Sequence, residues 1–238
     1  MEAMRSTLHG WFPPGTTRRW VLGGLSRRPF TFLVAFARSL LATRKLTGKF
    51  APICIRIGIG QRLDVYCSKN CVVVIDGVVT VTPWGGSRLN SSIVLGDGAT
   101  LRMLGDFDIG PGVHLSVSRG ASLSFGGRRS STASGITCNT RIMAEESIEV
   151  GADCIIAWDV FISDSNWHDI KGVERREPII IGNNVWIAHG ASVMKGARVP
   201  TGCIVGAKSL VAGGTFPPSS LIAGAPATVK RIDVEWSR

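Results

Sequence analysis

At 238 residues the chain is long enough for one large domain or two. Its six cysteines make no CxxC pair, and Cys138, Cys154 and Cys203 fall at inward positions of a repeat, which argues against a disulfide scaffold and for small core residues in a reducing compartment. The net charge of +10 is unevenly placed, and the lack of a basic stripe beyond residue 50 sets nucleic acid aside.

Residues 1–50 hold most of that charge. Arg5, Arg18, Arg19, Arg27, Arg28, Arg38, Arg44, Lys45 and Lys49 stand against the single acid Glu2. Trp11, Phe12, Trp20, Phe30, Phe32, Leu33, Phe36, Leu40 and Leu41 are interleaved with them. The apolar run from Phe30 to Ala37 is too short to span a bilayer, and Arg38 interrupts it. No A-x-A-like site follows a clean apolar run, so a cleavable signal peptide is not expected. Two readings stay open. The segment lies on an anionic membrane surface, or it is an amphipathic helix packed on the next domain. The first predicts that residues 1–45 can be removed without loss of the catalytic body.

Residues 51 to about 135 read as irregular coils of a solenoid. Leu95-Gly-Asp-Gly-Ala99-Thr keeps a six-residue pattern, and Ile109-Gly-Pro-Gly-Val113-His resumes it after a slip of two. The stretch from Gly126 to Gly135 reads as a bulge. The pattern then steadies. Cys138, Ala144, Val150, Ile156 and Ile162 are six apart, with Ile142, Ile148, Cys154 and Val160 at fifth positions. From Ile162 to Ile181 is one residue more than three repeats, and the gap is polar, charged and closed by Pro178. It reads as a loop extruded from the wall, where function concentrates on a rigid scaffold.

Five hexads follow end to end, opened by Ile181, Ile187, Val193, Val199 and Val205, and Val211 opens another. Their fifth positions are Val185, Ala191, Ala197, Cys203 and Ser209. A period of six suits neither an amphipathic helix nor simple alternation. It suits a coil of three short flat faces, with the aliphatic residue pointing into a narrow prism and a small one beside the corner. After Val211 the chain leaves the coil through Phe216-Pro-Pro-Ser-Ser and ends in a short basic tail. The domain reading is a basic amphipathic segment over 1–50, a β-helix over 51–212 and an extension over 213–238.

The hexads and tail together resemble the hexapeptide-repeat acyltransferases, in particular galactoside and maltose O-acetyltransferases and the O-acetyltransferases of bacterial surface polysaccharides. The span is about 136–232. Its most specific pieces are Pro178-Ile-Ile-Ile-Gly-Asn-Asn-Val-Trp-Ile187, Ile222-Ala-Gly-Ala-Pro-Ala-Thr-Val-Lys-Arg231 and a histidine-bearing loop between coils. The resemblance implies an all-β, left-handed parallel β-helix, a homotrimer with sites between prisms, and acetyl-CoA as acyl donor.

A sugar hydroxyl attacking a thioester needs a base, and imidazole exchanges its proton near neutral pH. Of His9, His114, His168 and His189, only His168 lies in the extruded loop, and it matches the family's catalytic histidine. No serine or cysteine pairs with it in a nucleophile motif, so direct transfer is expected. By resemblance, Trp186 lines the donor cleft, His189 and Ala207 offer backbone contacts to the donor, and Arg231 meets its phosphates with help from Lys208 and Lys230. A solvated surface charge is the plainer reading of both lysines, and a rung residue covering a subunit contact is that of Trp186. On the acceptor side the family's asparagine falls on Thr137. Asn139, two residues on and on the same face of a strand, is its candidate substitute. An acidic contact falls on Glu145, and Trp167, like Trp158, lies near the loop, where two readings stay open: stacking on a sugar, or core packing. A tail arginine and a loop lysine of the family fall on Thr228 and Gly213, so donor phosphate contacts are expected to be rearranged.

The function implied is O-acetylation of a sugar hydroxyl on a surface polysaccharide or its lipid-linked precursor, in the cytoplasm or peripherally on the inner face of its membrane. N-acetylation of an amino-sugar nucleotide and a non-enzymatic β-helix scaffold are the alternatives. Zinc hydratase chemistry needs three histidines around the metal, and no His-x4-His pair exists, so no metal is expected.

Overall fold

The computed structural model describes residues 25, 28–50, 52–85, 87–129 and 134–237. Six full coils and a partial seventh follow one another. The first is β1 (Ile55–Ile57), β2 (Leu63–Cys67) and β3 (Val72–Asp76), and the second β4 (Val79–Val81), β5 (Ser91–Leu95) and β6 (Thr100–Leu104). The third is β7 (Phe107–Ile109), β8 (His114–Val117) and β9 (Ser122–Phe125). The fourth is β10 (Gly135–Ile136), β11 (Arg141–Ala144) and β12 (Ser147–Val150), and the fifth β13 (Ile155–Ile156), β14 (Phe161–Ser163) and β15 (Ile179–Ile181). The sixth is β16 (Trp186–Ile187), β17 (Ser192–Met194) and β18 (Arg198–Val199), and the seventh ends after β19 (Ile204–Val205) and β20 (Leu210–Ala212).

First strands of each coil stack in parallel into sheet A, second strands into sheet B and third strands into sheet C. The three sheets enclose one core. Its register is visible in a single column of sheet A: Ile57, Val81, Ile109, Ile136, Ile156, Ile187, Val205 and Ile222 lie one above another. All eight are buried, and burying such a side chain contributes about 1.5–3 kcal/mol. The same column runs through the irregular lower coils, whose slips are absorbed in the corners. The small fifth-position residues Ala191, Ala197 and Cys203, which precede strands of sheets B, C and A in turn, are fully buried too.

Corners impose their own chemistry. Where sheet A turns into sheet B, Gly112, Asn139, Asp159, Gly190 and Lys208 all adopt left-handed φ, between +47° and +73°. Asn and Asp tolerate this conformation better than most residues. At Gly110 a Cβ would lie 1.4 Å from the Thr137 carbonyl oxygen, so only glycine permits this approach of two coils. Cys154 and Cys203 are buried as expected, whereas Cys138 is only half-buried because its position is part of this corner.

Helix α1 (Pro29–Thr47) closes the first coil. Pro29 opens it where no backbone donor is needed, and Gly48, with φ +75°, ends it by donating its N–H to the Arg44 carbonyl. Phe32, Ala35, Ser39, Ala42, Thr43 and Leu46 are buried, and Ala42 and Leu46 join the solenoid core. Strand β1 is the edge of sheet A, and the helix supplies acceptors where no neighbouring strand does. Ile57 N–H donates to Ser39 Oγ at 2.9 Å, and Ile55 N–H to Thr43 Oγ1 at 3.2 Å. The helical part of the basic segment is therefore the lid of the prism. Removing residues 1–45 would expose that edge and strip core contacts, which argues against the expected separability from the catalytic body. Residues 1–24, which carry the rest of the basic and aromatic pattern, lie outside the described residues.

The C-terminal extension also rejoins the fold. Strand β21 (Leu221–Gly224) pairs in parallel with β19, and β22 (Ala227–Arg231) pairs back on β21 in antiparallel. Fully buried Ile222 explains this return, because it continues the sheet A column for one more rung.

Candidate active site

The loop between β14 and β15 leaves the prism where sheet B turns into sheet C. It folds back on itself. Ser165 bridges Arg176, Ile170 bridges Val173, and Asn166 N–H donates to the Arg175 carbonyl at 2.9 Å. Its tip, from His168 to Glu174, is exposed. His168 follows Trp167, which is held in a left-handed conformation at φ +63°. The Trp167 indole N–H donates to Ser163 Oγ at 3.1 Å, and its backbone N–H to Ser165 Oγ at 3.0 Å. The residue before the histidine is thus fixed at both backbone and side chain.

What fixes the foot of the loop is a carboxylate from the coil below. Glu145 has a side chain only 11% exposed. It accepts Ser165 Oγ at 2.8 Å and Arg175 Nη2 at 3.0 and 3.2 Å, with Arg176 Nε at 3.5 Å. Beside it the Asp164 carboxylate accepts the backbone N–H groups of Glu145 at 2.7 Å and Glu146 at 2.9 Å. Burial pushes the Asp164 carboxyl above its usual value, and those N–H groups oppose the shift. Asp164, Ser163 and Ser165 are all but inaccessible. Ser163, Asp164, Ser165, Arg175 and Arg176 were not singled out from sequence. Their only signal was the polarity of the gap. The Glu145 carboxylate, expected as an acceptor contact, is already occupied by the loop.

A second group gathers at the corner between sheets A and B. Trp158 and His189 stack at 5.4 Å with an interplanar angle of 29°. His189 Nδ1 lies 3.3 Å from the Trp158 carbonyl oxygen and 3.5 Å from the Asp159 carboxylate. Asn139 donates its side-chain amide to Asp159. Ala207 and Lys208 follow on the next rung, both exposed. In this corner Gly190 N–H bonds to the Trp158 carbonyl, Lys208 N–H to the His189 carbonyl, and Gly206 N–H to the Ile222 carbonyl. The N–H groups of His189 and Ala207 take no part in that ladder. Lys230 and Arg231 end β22 at the edge of sheet A, exposed with the rest of that strand's end.

The expected residues are therefore brought together in two places. Trp167, His168 and Glu145 stand at one edge of sheet B. Asn139, His189, Ala207 and Lys208 stand at the other. Gly190 and Gly196 are six positions apart across the sheet, roughly 20 Å at about 3.3 Å per residue. Trp158, expected near the loop, belongs to the far corner, because the strand β14 lies between. Asn139 is not on a strand face, since its left-handed conformation lies in the turn, so the alternation argument for it does not hold. Trp186 sits on the outer face of sheet A between Ile155 and Ile204, with the Trp236 ring 6.1 Å away. His114 opens β8 and pairs its Nδ1 with Ser92 Oγ at 2.8 Å, and burial lowers its pKa, with the nearby Arg141 charge adding to the shift. Among the described residues no cluster of three or more His, Cys, Asp or Glu could hold a metal.

No family model matches the chain. Curated relatives do. A protein of Escherichia coli K12 assigned to O-acetyl transfer in lipopolysaccharide biosynthesis, WbbJ, is 31% identical over 102 residues, which is 37% of this chain and 52% of that protein. The polysialic acid O-acetyltransferase of E. coli O1:K1 is 31% identical over 98 residues, 39% of this chain and 32% of that one. A protein of Staphylococcus aureus MRSA252 assigned as an acetyltransferase is 38% identical over 69 residues, 29% of this chain and 34% of its own length. The chain thus matches about half, or a third, of the length of these relatives. Among solved structures, the polysialic acid O-acetyltransferase OatWY superposes with a TM-score of 0.54 at 22% identity, over 75% of this chain and 90% of that one. That likeness is one of fold, the left-handed parallel β-helix.

Proposed function

We propose that this chain is an acetyl-CoA-dependent O-acetyltransferase acting on a sugar hydroxyl of a surface polysaccharide or its lipid-linked precursor. The observation that carries the proposal is His168, exposed at the tip of a loop whose foot is locked by a largely buried carboxylate. A solvent-facing histidine with no structural role has no need of such an anchor. A general base does, because proton transfer requires a fixed position. The named activities of the relatives support the same reaction.

In this reading the His168 imidazole takes the proton of the acceptor hydroxyl as its oxygen attacks the thioester carbonyl. The carbon–oxygen bond forms, and the carbonyl oxygen becomes an oxyanion. The unladdered N–H of His189 or Ala207 stabilises that charge. Collapse breaks the carbon–sulfur bond, and the coenzyme A thiolate takes back the proton from the imidazolium. Lys208, Lys230 and Arg231 attract the donor phosphates. Trp167 offers its ring to the sugar, and Glu145 acts through the loop as a positioning residue.

The two groups stand at opposite edges of sheet B, so one copy does not complete the site. A homotrimer answers this, with the His168 loop of one prism facing the Trp158–His189 corner of the next. The test is acetylation of the native glycan, followed by mass spectrometry with and without the protein. His168→Ala chains and chains carrying Lys208→Ala with Arg231→Ala should each be impaired, and their mixture should regain activity. A fully active monomer in light scattering overturns the shared site. Unchanged glycan overturns the reaction.

A further inference from the structure

The lid helix has two apolar faces, and only one of them meets the prism. The inner face buries Phe32, Ala35, Ala42 and Leu46. On the outer face Phe30 is 78% exposed, Leu33 55% and Leu41 56%, with Val34 also exposed. These four, with Ala37, fall at positions 30, 33, 34, 37 and 41, a continuous helical stripe. Exposed Phe50 lies beyond the end of the helix, under the Arg44 guanidinium at 4.6 Å. A contiguous apolar stripe of this kind marks an interaction surface.

Charge selects the partner. From residue 28 to residue 63 the chain has Arg28, Arg38, Arg44, Lys45, Lys49, Arg56 and Arg62 and no acid, the first being Asp64. Arg28, Arg44 and Lys49 are exposed beside the stripe. Apolar side chains set among basic ones without acids match an anionic lipid surface, where the apolar face enters the headgroup boundary and the cations meet the phosphates. No helix among the described residues is long and apolar enough to cross a bilayer, so contact at the surface is the mode that fits.

We infer that the outer face of α1, with Phe50, is a docking surface for an anionic bilayer, and that docking stands the prism upright on the membrane. The orientation follows from the lid. Helix α1 lies across the first coil and contacts strands of all three sheets, so its outer face is the base of the solenoid. The His168 loop leaves the fifth coil, four rungs higher. Four rungs at about 4.8 Å, plus a helix about 10 Å across, hold the loop roughly 30 Å above the surface. Resting on the acetyltransferase reading, this height names the acceptor more closely: a sugar well along an anchored glycan, not the one joined to the lipid.

The test uses the full chain and a Leu33→Gln, Val34→Gln, Leu41→Gln variant. Wild type should float with phosphatidylglycerol vesicles and stay behind with phosphatidylcholine ones. The variant should float at least tenfold less, with an unchanged circular dichroism spectrum and unchanged coenzyme A binding by calorimetry. On a supported phosphatidylglycerol bilayer, neutron reflectometry should show a protein layer extending beyond the roughly 30 Å set by the lower coils. Equal flotation of variant and wild type, or no flotation of wild type, overturns the docking surface. A concentration-dependent self-association that the same three substitutions abolish overturns it too, by placing a second copy on this face. A thinner reflectometry layer overturns the upright orientation. Vesicle flotation with no coenzyme A binding supports docking and defeats the acetyltransferase reading, so the two failures are told apart.

Discussion

The coils and the loop they extrude are built on opposite principles. A coil is held many times over. Each inward aliphatic residue of the inner coils is buried against rungs above and below, and each strand between the sheet ends is laddered on both sides. The loop from Asp164 to Pro178 buries little apolar surface, and its foot is fixed by Glu145, Ser165, Arg175 and Asp164. Redundancy makes the coil tolerant in geometry. Dependence on a few polar contacts gives the loop a definite position that a single substitution can loosen. A scaffold fixed by packing can carry a site tuned by hydrogen bonds.

The largest effect that separates the two regions is at the loop tip. His168→Ala should lower kcat about 10²–10⁴-fold, the scale of a lost general base. Coenzyme A affinity and thermal stability should stay at wild-type values, because His168 is exposed. Wild-type turnover in this variant would remove the loop from the chemistry. In the coils the expectation reverses. Ile187→Ala removes a fully buried side chain from the sheet A column, at a cost of about 2–5 kcal/mol. Calorimetry should show a Tm fall of roughly 4–20 °C for a protein of this size. Turnover per folded molecule should change far less. A Tm shift below that range would mean the prism relaxes around cavities more readily than the packing suggests.

Glu145 tests the link between the regions. Glu145→Gln keeps an acceptor for Ser165 but loses the charge that Arg175 and Arg176 meet. We expect kcat to fall about tenfold, or about 1.4 kcal/mol, with coenzyme A binding unchanged. Glu145→Asp should recover part of the rate if position is what matters. Equal stability loss with full kcat would make Glu145 a structural residue only.

The sequence made the prism readable because every hexad repeats one physical demand, an aliphatic residue inward and a small one beside the corner. From Ile181 to Val211 nothing competes with that pattern. Below Gly135 it was harder to follow, since the segment from Thr82 to Asn90 lengthens a corner without moving Val81 or Ile93 out of the core. The loop announced itself as a break in phase, and His168 as its histidine. Its anchor did not, because Glu145 is 30 residues from Arg175 and only the coil geometry joins them. Trp158 shows the converse. It is close to the loop along the chain and a sheet's width from it in space. Helix α1 was ambiguous because both its faces are apolar, so periodicity did not tell which one is buried. The catalytic roles of these residues rest on the proposed reaction.

The smallest effect distinguishes coil from surface by thiol chemistry. Cys154 is buried at a fifth position, with Sγ 3.1 Å from the Gly182 carbonyl oxygen. Burial pushes its thiol up to about 12. In the folded protein it should stay protonated and unreactive through mildly alkaline pH, whereas exposed Cys67 is open to reagent. Burial raises the Cys67 thiol as well, with neighbouring Cys71 adding to the shift and Lys45 opposing it, so its labelling should be slow rather than absent. Alkylation followed by mass spectrometry should therefore mark Cys67 first and Cys154 only on unfolding. The sign for stability follows. An unfolded Cys154 ionises near the usual thiol value, about 8.5, while the folded one holds its proton to about 12. Below the usual value both states are protonated and the contribution is intact. As pH rises toward 12 the unfolded state gains by losing its proton, so folding weakens across that window. Cys154→Ala should flatten this alkaline decline in a series of melting curves, whereas His168→Ala should leave its slope alone. Rapid labelling of Cys154 in the native protein would mean that the fifth coil opens beside the loop, and that the rigidity assigned to the scaffold stops short of the site it carries.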